Sequence, residues 1–313
     1  VRTWYEVYAE PRLREKTKDY YLNYIGNHIV PELGNTPLEK LTTIRIQKFY
    51  NDLQKSGRIQ RYTHIKLKDK GLSTRVVRGI HTLLNNCLEQ AVAERLILSN
   101  PAKGCRLPKL EKREMKILPE DKIGPYLAEA ERRGLLAAFY LELTTGLRRG
   151  EICGLMWRDF DENAGTLKIL RSVNVPKRGE MEIGETKTER GRRTIRLPPS
   201  TVQRLKERKK HAISQWIFPE PLAPEKPVRP SAAYYWMKRI LREAGLPEIR
   251  FHDLRHTFAT HALTSGVDAK TLSGILGHTN ASFTLDTYTH VTPDMQQEAS
   301  HIVGGFLEDL LGK

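Results

Sequence analysis

Between Asn100 and Lys116 the hydrophobic periodicity of the chain stops. This stretch holds two Pro, two Leu and, from Lys103 onward, six basic residues. Such a run neither extends a helix nor fills a strand buried in a core. It divides 313 residues into two parts, each able to bury a core of its own and together too long for one typical domain. The expected layout is a helical domain at 1–100, an extended basic linker at 101–116, a second domain at 117–292 and a terminal helix at 293–313.

The first part reads as helices only. Trp4, Tyr5 and Tyr8 make a short apolar stripe, and Tyr20, Tyr21, Tyr24 and Ile25 recur at helical spacing until Pro31, where the helix is expected to stop. Thr42 or Thr43 suits the cap of a helix near 43–53, and Ser73 that of a long helix over 74–94. Residues 58–70 are polar and basic and read as a loop, either merely solvated or in contact with phosphate. The second part is mixed. Helices are expected at 119–131, 135–144 and 149–156, and strands at 167–171, 182–187 and 193–197, with a charged turn at 186–192. Helices return at 200–211, 231–244, 254–265, 268–276 and 283–288, and the proline-rich 219–230 is expected to be a surface loop. The fold class is therefore mainly α with a small antiparallel β-sheet.

Charge narrows the partners. Lys and Arg number 52 against 37 Asp and Glu, giving +15. Residues 1–120 hold 23 basic and 13 acidic side chains, while beyond Lys270 one Lys faces five acids. A basic body favours nucleic acid, and an acidic end favours a basic protein surface. The 3 Cys fit neither a metal motif nor a disulfide framework, which points to the cytosol. No apolar run is long enough to span a membrane, and no secretory leader is visible. The chain begins at Val1 without Met, so an upstream piece is expected to be missing.

Phosphate loops that precede Lys-Ser/Thr, dinucleotide fingerprints and HExxH are all absent, so no cofactor and no metal is expected. His252 and His256 stand four apart, but Arg255 lies between them and no nearby carboxylate or Cys set completes a metal site. Gly146-Leu147-Arg148-Arg149-Gly150-Glu151 falls where one helix ends and the next begins. An arginine beside free helix amides suits a phosphate, although a capping box with a surface arginine explains the same residues. His252 and Arg255 share a helical face, polar His278 follows Leu276 across Gly277, and Tyr288 comes ten residues later. Arginines that neutralise non-bridging oxygens, histidines that handle protons and a tyrosine nucleophile make a kit for cleaving a phosphodiester. Lys187, ahead of the charged turn, can protonate the leaving oxygen. Taken singly, each has a bland reading as a buried histidine, a solvated lysine or a core-edge tyrosine.

With these residues in hand the chain resembles the tyrosine recombinases, the phage-type integrases. The matching pieces, in family order, are Thr145 to Glu151, Thr186-Lys187-Thr188 with Arg192 to Leu197, His252 to Thr257, Leu276-Gly277-His278, and Tyr288-Thr289-His290. The resemblance covers nearly the whole chain. It implies a helical SAM-like core-binding domain followed by a mixed α/β catalytic domain. It further implies that Arg148 and Arg255 clamp the phosphate, Lys187 is the general acid, His252 assists proton transfer, His278 bonds the scissile phosphate and Glu151 supports them. Tyr288 would attack to give a 3′-phosphotyrosyl link, and strands would exchange through a Holliday junction without ATP. The long hairpin from Arg171 to Thr194 and the ten-residue His278–Tyr288 spacing are most similar to integrases of conjugative transposons of Gram-positive bacteria. Many members space that pair at nine.

The implied partners are double-stranded DNA at core and crossover sites and further copies of the chain, from dimer to tetramer. The helix at 293–313, with Phe306, Leu307 and Leu310, would dock on a neighbouring protomer. An excisionase or a host DNA-bending protein would join them, in the bacterial cytoplasm at the nucleoid. By charge and placement, Arg61, Lys66, Lys68, Arg75, Arg78, Lys103, Lys109, Arg171, Arg192 and Arg193 are the candidate DNA contacts, mostly to backbone. The rivals are a resolvase of the Xer type, a type IB topoisomerase and a DNA-binding regulator without catalysis.

Overall fold

The computed structural model describes residues 1–60, 69–110, 115–176, 180–185, 191–278 and 284. The chain divides into two compact units, the first built on residues 1–113 and the second on 114–175 and from 180 onward. Among the described residues, no helix is long and apolar enough to cross a membrane.

Among its described residues the first unit has helices and no strand. α1 (Arg2–Trp4) runs into wide turns over Tyr5–Ala9, and α2 (Glu15–Tyr24) passes through wide turns at Ile25–Ile29 into α3 (Val30–Leu33). Pro31 therefore does not stop this helical run. It sits in the first turn of α3, where a missing N–H costs little. α4 (Thr43–Ser56) starts at Thr42, whose hydroxyl accepts from the Arg45 amide at 3.3 Å. α5 (Thr74–Ala93) begins after Ser73, whose side chain makes no capping hydrogen bond. Ile46, Phe49, Tyr50 and Leu53 of α4 and Val77, Ile80, Leu83, Leu84 and Leu88 of α5 bury one core. Part of the expected linker belongs to this unit. Ala102 is in the core, Asn100 donates to the Asn85 side-chain oxygen at 3.0 Å, and the Pro108 carbonyl accepts from Arg78 at 3.0 Å.

The second unit opens with α6 (Glu120–Arg132), α7 (Leu136–Thr145) and α8 (Arg149–Cys153). The single strand expected near 167–171 is two. β1 (Phe160–Asp161), β2 (Thr166–Ile169) and the later β5 (Arg193–Arg196) form one antiparallel sheet, whereas β3 (Arg171–Asn174) pairs with β4 (Glu182–Glu185) in another. Leu170 lies between them, where the chain leaves one sheet for the other. After α9 (Pro199–Lys209), the expected loop at 219–230 contains a short hairpin, β6 (Pro219–Glu220) with β7 (Ala223–Pro227). Prolines are tolerated there because these strands pair on one side only. α10 (Pro230–Glu243), α11 (Phe251–Thr264) and α12 (Ala269–Leu276) complete the described part. Asp268 caps α12 by accepting from the Lys270 and Thr271 amides. The core gathers Tyr126, Phe139, Leu147, Leu167, Ile195, Met237 and Leu254, and Leu272 and Leu276 of α12 pack beside Ala259 and Leu263 of α11.

Candidate active site

The end of α12 organises the site. Three successive carbonyls there each accept from a different arginine. Ile275 takes Arg193 Nε at 2.5 Å, Leu276 takes Arg255 Nη2 at 2.8 Å and Gly277 takes Arg148 Nη2 at 3.1 Å. The last carbonyls of a helix have no partner inside it and carry its negative pole, so guanidinium groups suit them. Gly277 takes a left-handed conformation at φ 64°, which turns the chain toward His278 with no Cβ to strain.

Each arginine reaches this point from a different element. Arg255 comes from the middle of α11, 1% exposed, and its Nη1 donates to the Gly146 carbonyl at 2.8 Å. Arg148 stands at the start of α8, and Glu151 closes a capping box on it. The Glu151 carboxylate accepts the Arg148 amide at 3.0 Å and Nη1 at 2.7 Å. Arg193, on β5, adds a second ion pair to Glu151 at 2.9 Å. Burial acts to raise the Glu151 carboxyl, but the hydrogen bond and charge of Arg193 and the charge of Arg148 outweigh it and hold it below its ordinary range. Arg148 and Arg193 thus share one ionised carboxylate, Glu151, while Arg255 is held by the Gly146 and Leu276 carbonyls. Arg148 is the one that reaches solvent, its side chain 40% exposed against 8% for Arg193.

His278 Nε2 lies 2.7 Å from Arg255 Nη2, and its Nδ1 lies 2.7 Å from the hydroxyl of buried Thr284. Since Arg255 can only donate, Nε2 accepts, and Nδ1 carries the proton toward Thr284. Burial, then the charges of Arg255 and Arg148, push His278 down to about 4, so it is neutral near pH 7. His252 reaches solvent on α11 but is crowded by protein on its other sides. That desolvation, then His256, Arg255 and Arg148, push it down to about 4 as well. Its ring meets His256 edge to face at 4.7 Å. Burial also lowers His256.

The structure thus brings Arg148, Glu151, Arg255 and His278 together, with His252 on the same helix as Arg255. Lys187 and Tyr288 lie outside the described residues, as do Arg61, Lys66, Lys68 and the 293–313 helix. Of the candidate DNA contacts, Arg75 and Lys109 are exposed, Lys103 is exposed and paired with Glu89 at 3.0 Å, and Arg192 is exposed and paired with Glu185. Arg78 is half-buried on the Pro108 carbonyl. Arg171 and Arg193 are both held by partners inside the second unit. Arg171 is tied to buried Asp159, and Arg193 to Glu151 and the Ile275 carbonyl. A signal for Arg193 was present in its strand. It shares one face with Ile195 of β5 and Leu197 just beyond it, a period of two that places it inside. Thr284 had no comparable signal.

A helical unit, a mixed unit and arginines converging with a histidine on one helix end define the tyrosine recombinase class. The chain belongs to the phage integrase family. The model of the Phage integrase family matches residues 116–295, and that of the Phage integrase N-terminal SAM-like domain matches residues 1–54. Relatives include a tyrosine recombinase XerC-like protein of Caldanaerobacter subterraneus subsp. tengcongensis, 28% identical over 96% of this chain and 80% of its own length. The ICEBs1 integrase of Bacillus subtilis is 27% identical over 85% of this chain and 76% of its own. Among solved structures, the Tn1549 transposon integrase in complex with transposon right end DNA superposes with a TM-score of 0.78 at 19% identity, covering 97% of both chains. A lambda integrase dimer bound to a COC′ core site gives 0.66 at 21% identity, over 90% of this chain and 94% of that one.

Proposed function

We propose that this chain is a site-specific recombinase that integrates and excises a mobile DNA element, with Tyr288 as its nucleophile. The observation that carries the reading is the meeting of Arg148, Arg255 and His278 at the end of α12. A scissile phosphate set against these groups has its non-bridging oxygens between two guanidinium groups. Arg148, the more exposed, meets the phosphate first, and Arg255, held at Gly146 and Leu276, presents a fixed charge. Tyr288 attacks phosphorus, the 5′-oxygen leaves with a proton from Lys187, and a 3′-phosphotyrosyl ester conserves the bond energy for rejoining. His252 assists the proton transfer, and His278 hydrogen-bonds the phosphate once that negative charge raises its affinity for a proton.

The DNA-bound structures among its relatives support duplex DNA as the substrate, and dimers and tetramers as the working assembly. In this reading 1–100 grips the core site, 101–116 links it to the catalytic domain at 117–292, and 293–313 docks on a neighbouring protomer. In the same reading an excisionase or a host DNA-bending protein joins the assembly at the bacterial nucleoid. The XerC-like relative favours a second reading, a resolvase of chromosome or plasmid dimers, which differs in its target sites.

The deciding experiment maps cleavage on both strands of nicked duplexes that carry the ends of the DNA element encoding the chain. A covalent protein–DNA adduct, lost in Tyr288→Phe, is expected. A duplex-bound protein that forms no adduct would leave a regulator instead.

A further inference from the structure

Glu142 is a carboxyl for which the recombination chemistry has no use. It lies in α7, 0% exposed, and neither of its oxygens has a hydrogen-bond partner among the described residues. Buried polar groups almost always find a partner, so an acid here, where a leucine would pack more cheaply, calls for an explanation.

Its surroundings supply one. Glu142 is one turn before Gly146, and its own carbonyl accepts the Gly146 amide at 2.8 Å. The Gly146 carbonyl in turn holds Arg255. α7 packs on α11, and the positive charge of Arg255 there opposes the upward shift of the Glu142 carboxyl. Among the described residues, the other titratable groups that face it are Glu151 and Cys153 of α8 and Tyr126 of α6. The Tyr126 phenol is likewise buried with no hydrogen-bond partner among the described residues. α9 meets a different side of α7, where Ser200 and Thr201 bond Tyr140 and Thr144 and Arg204 stacks on the Tyr140 ring.

We infer that Glu142 is a positioning residue for Arg255, acting through its charge state. As the neutral acid it leaves the guanidinium charge whole for a phosphate, and as the carboxylate it holds that charge back. Desolvation, opposed by Arg255 and reinforced by Glu151, pushes its carboxyl well above the ordinary carboxylate range and favours the acid form. In that low-dielectric setting a single added charge near Arg255 is strongly felt. The sign follows: raising the pH ionises Glu142 and weakens the clamp, and a phosphate bound at Arg255 delays that ionisation to higher pH.

This inference rests on the recombinase reading, and two measurements test it. Infrared spectra of the 313-residue chain read the carbonyl stretch of a protonated carboxyl, assigned by its loss in Glu142→Gln. The rate of covalent adduct formation on nicked element-end duplexes is followed against pH, each variant normalised to its own rate at neutral pH. The band is expected at neutral pH, fading as the pH rises, and the wild-type rate is expected to fall about tenfold in step with it. In Glu142→Gln that alkaline fall is absent, and Glu142→Leu repeats the result without a buried amide. A band missing at neutral pH, a band that persists until the chain unfolds, or superimposable profiles would each overturn the inference. No adduct from the wild-type chain at any pH would remove the recombinase reading and this one with it, whereas an adduct with superimposed profiles removes this one alone.

Discussion

Arg255 Nη2 and His278 Nε2 stand 2.7 Å apart, and with Nε2 accepting, the histidine must carry its proton on Nδ1, where Thr284 waits at 2.7 Å. One contact therefore sets the tautomer and the ring orientation together.

Thr284→Val keeps the shape of the residue and removes the acceptor for Nδ1. The fold should be unaffected, while adduct formation slows about five- to tenfold, the rate equivalent of one hydrogen bond. Single-turnover kinetics at saturating DNA measure it, and a rate equal to wild type would detach Thr284 from the chemistry.

Glu151 is the shared counter-ion of Arg148 and Arg193, its side chain 3% exposed. Arg193→Met strips away the better buried partner. Removing one side of a buried pair costs about 3 kcal/mol or more, read as a lower denaturation midpoint at constant slope. Combining it with Glu151→Gln should cost less than the sum of the two. Strict additivity would show that the pair is not coupled.

Gly146 adopts φ 59°, and a Cβ built there would meet Phe258 Cδ1 at 2.4 Å and Leu276 Cδ2 at 2.9 Å. Gly146→Ala therefore combines left-handed strain with overpacking and should destabilise the chain by about 2 kcal/mol. Because the Gly146 carbonyl holds Arg255, the adduct rate should fall further than the melting temperature explains. Recovery of that rate on cooling, in proportion to the folded fraction alone, would contradict it.

Stability should decline in mild acid. His278 and His252 have folded values pushed to about 4, below the usual 6.5. Between those two values the unfolded chain binds more protons than the folded one, so the stabilisation is whole above about 6.5 and is lost as the pH falls toward 4. The lowered Glu151 carboxyl adds a loss that begins lower, as the pH drops through the carboxylate range and then through the folded value. Melting temperatures measured from pH 8 to pH 4 give the slope, and His278→Asn should flatten its upper part. An unchanged slope would exclude His278 as a source.

Much of the local structure was readable from residue order because its causes are local. Thr42 caps α4 through its own hydroxyl, and Asp268 caps α12 through its carboxylate. Alternation along β5 and the period of α5 follow from which side chains avoid water. Where that reading failed, a neighbour in space was responsible. Wide turns let the helix run through Pro31, and β2 and β3 went to different partners although Leu170 alone separates them.

The residue types of a phosphate site, and their order along the chain, are inherent in the amino-acid string, since arginine and histidine have that chemistry wherever they stand. Which arginines face a ligand is not. Arg148 and Arg193 differ little as letters, yet packing leaves one in solvent and encloses the other on Glu151. The three carbonyls at the end of α12 acquire their arginines only when β5, α8 and α11 converge there, and the helices of Glu142 and Arg255 come together only when α7 lies on α11. Charges interact through distance and dielectric, and both are properties of the folded chain.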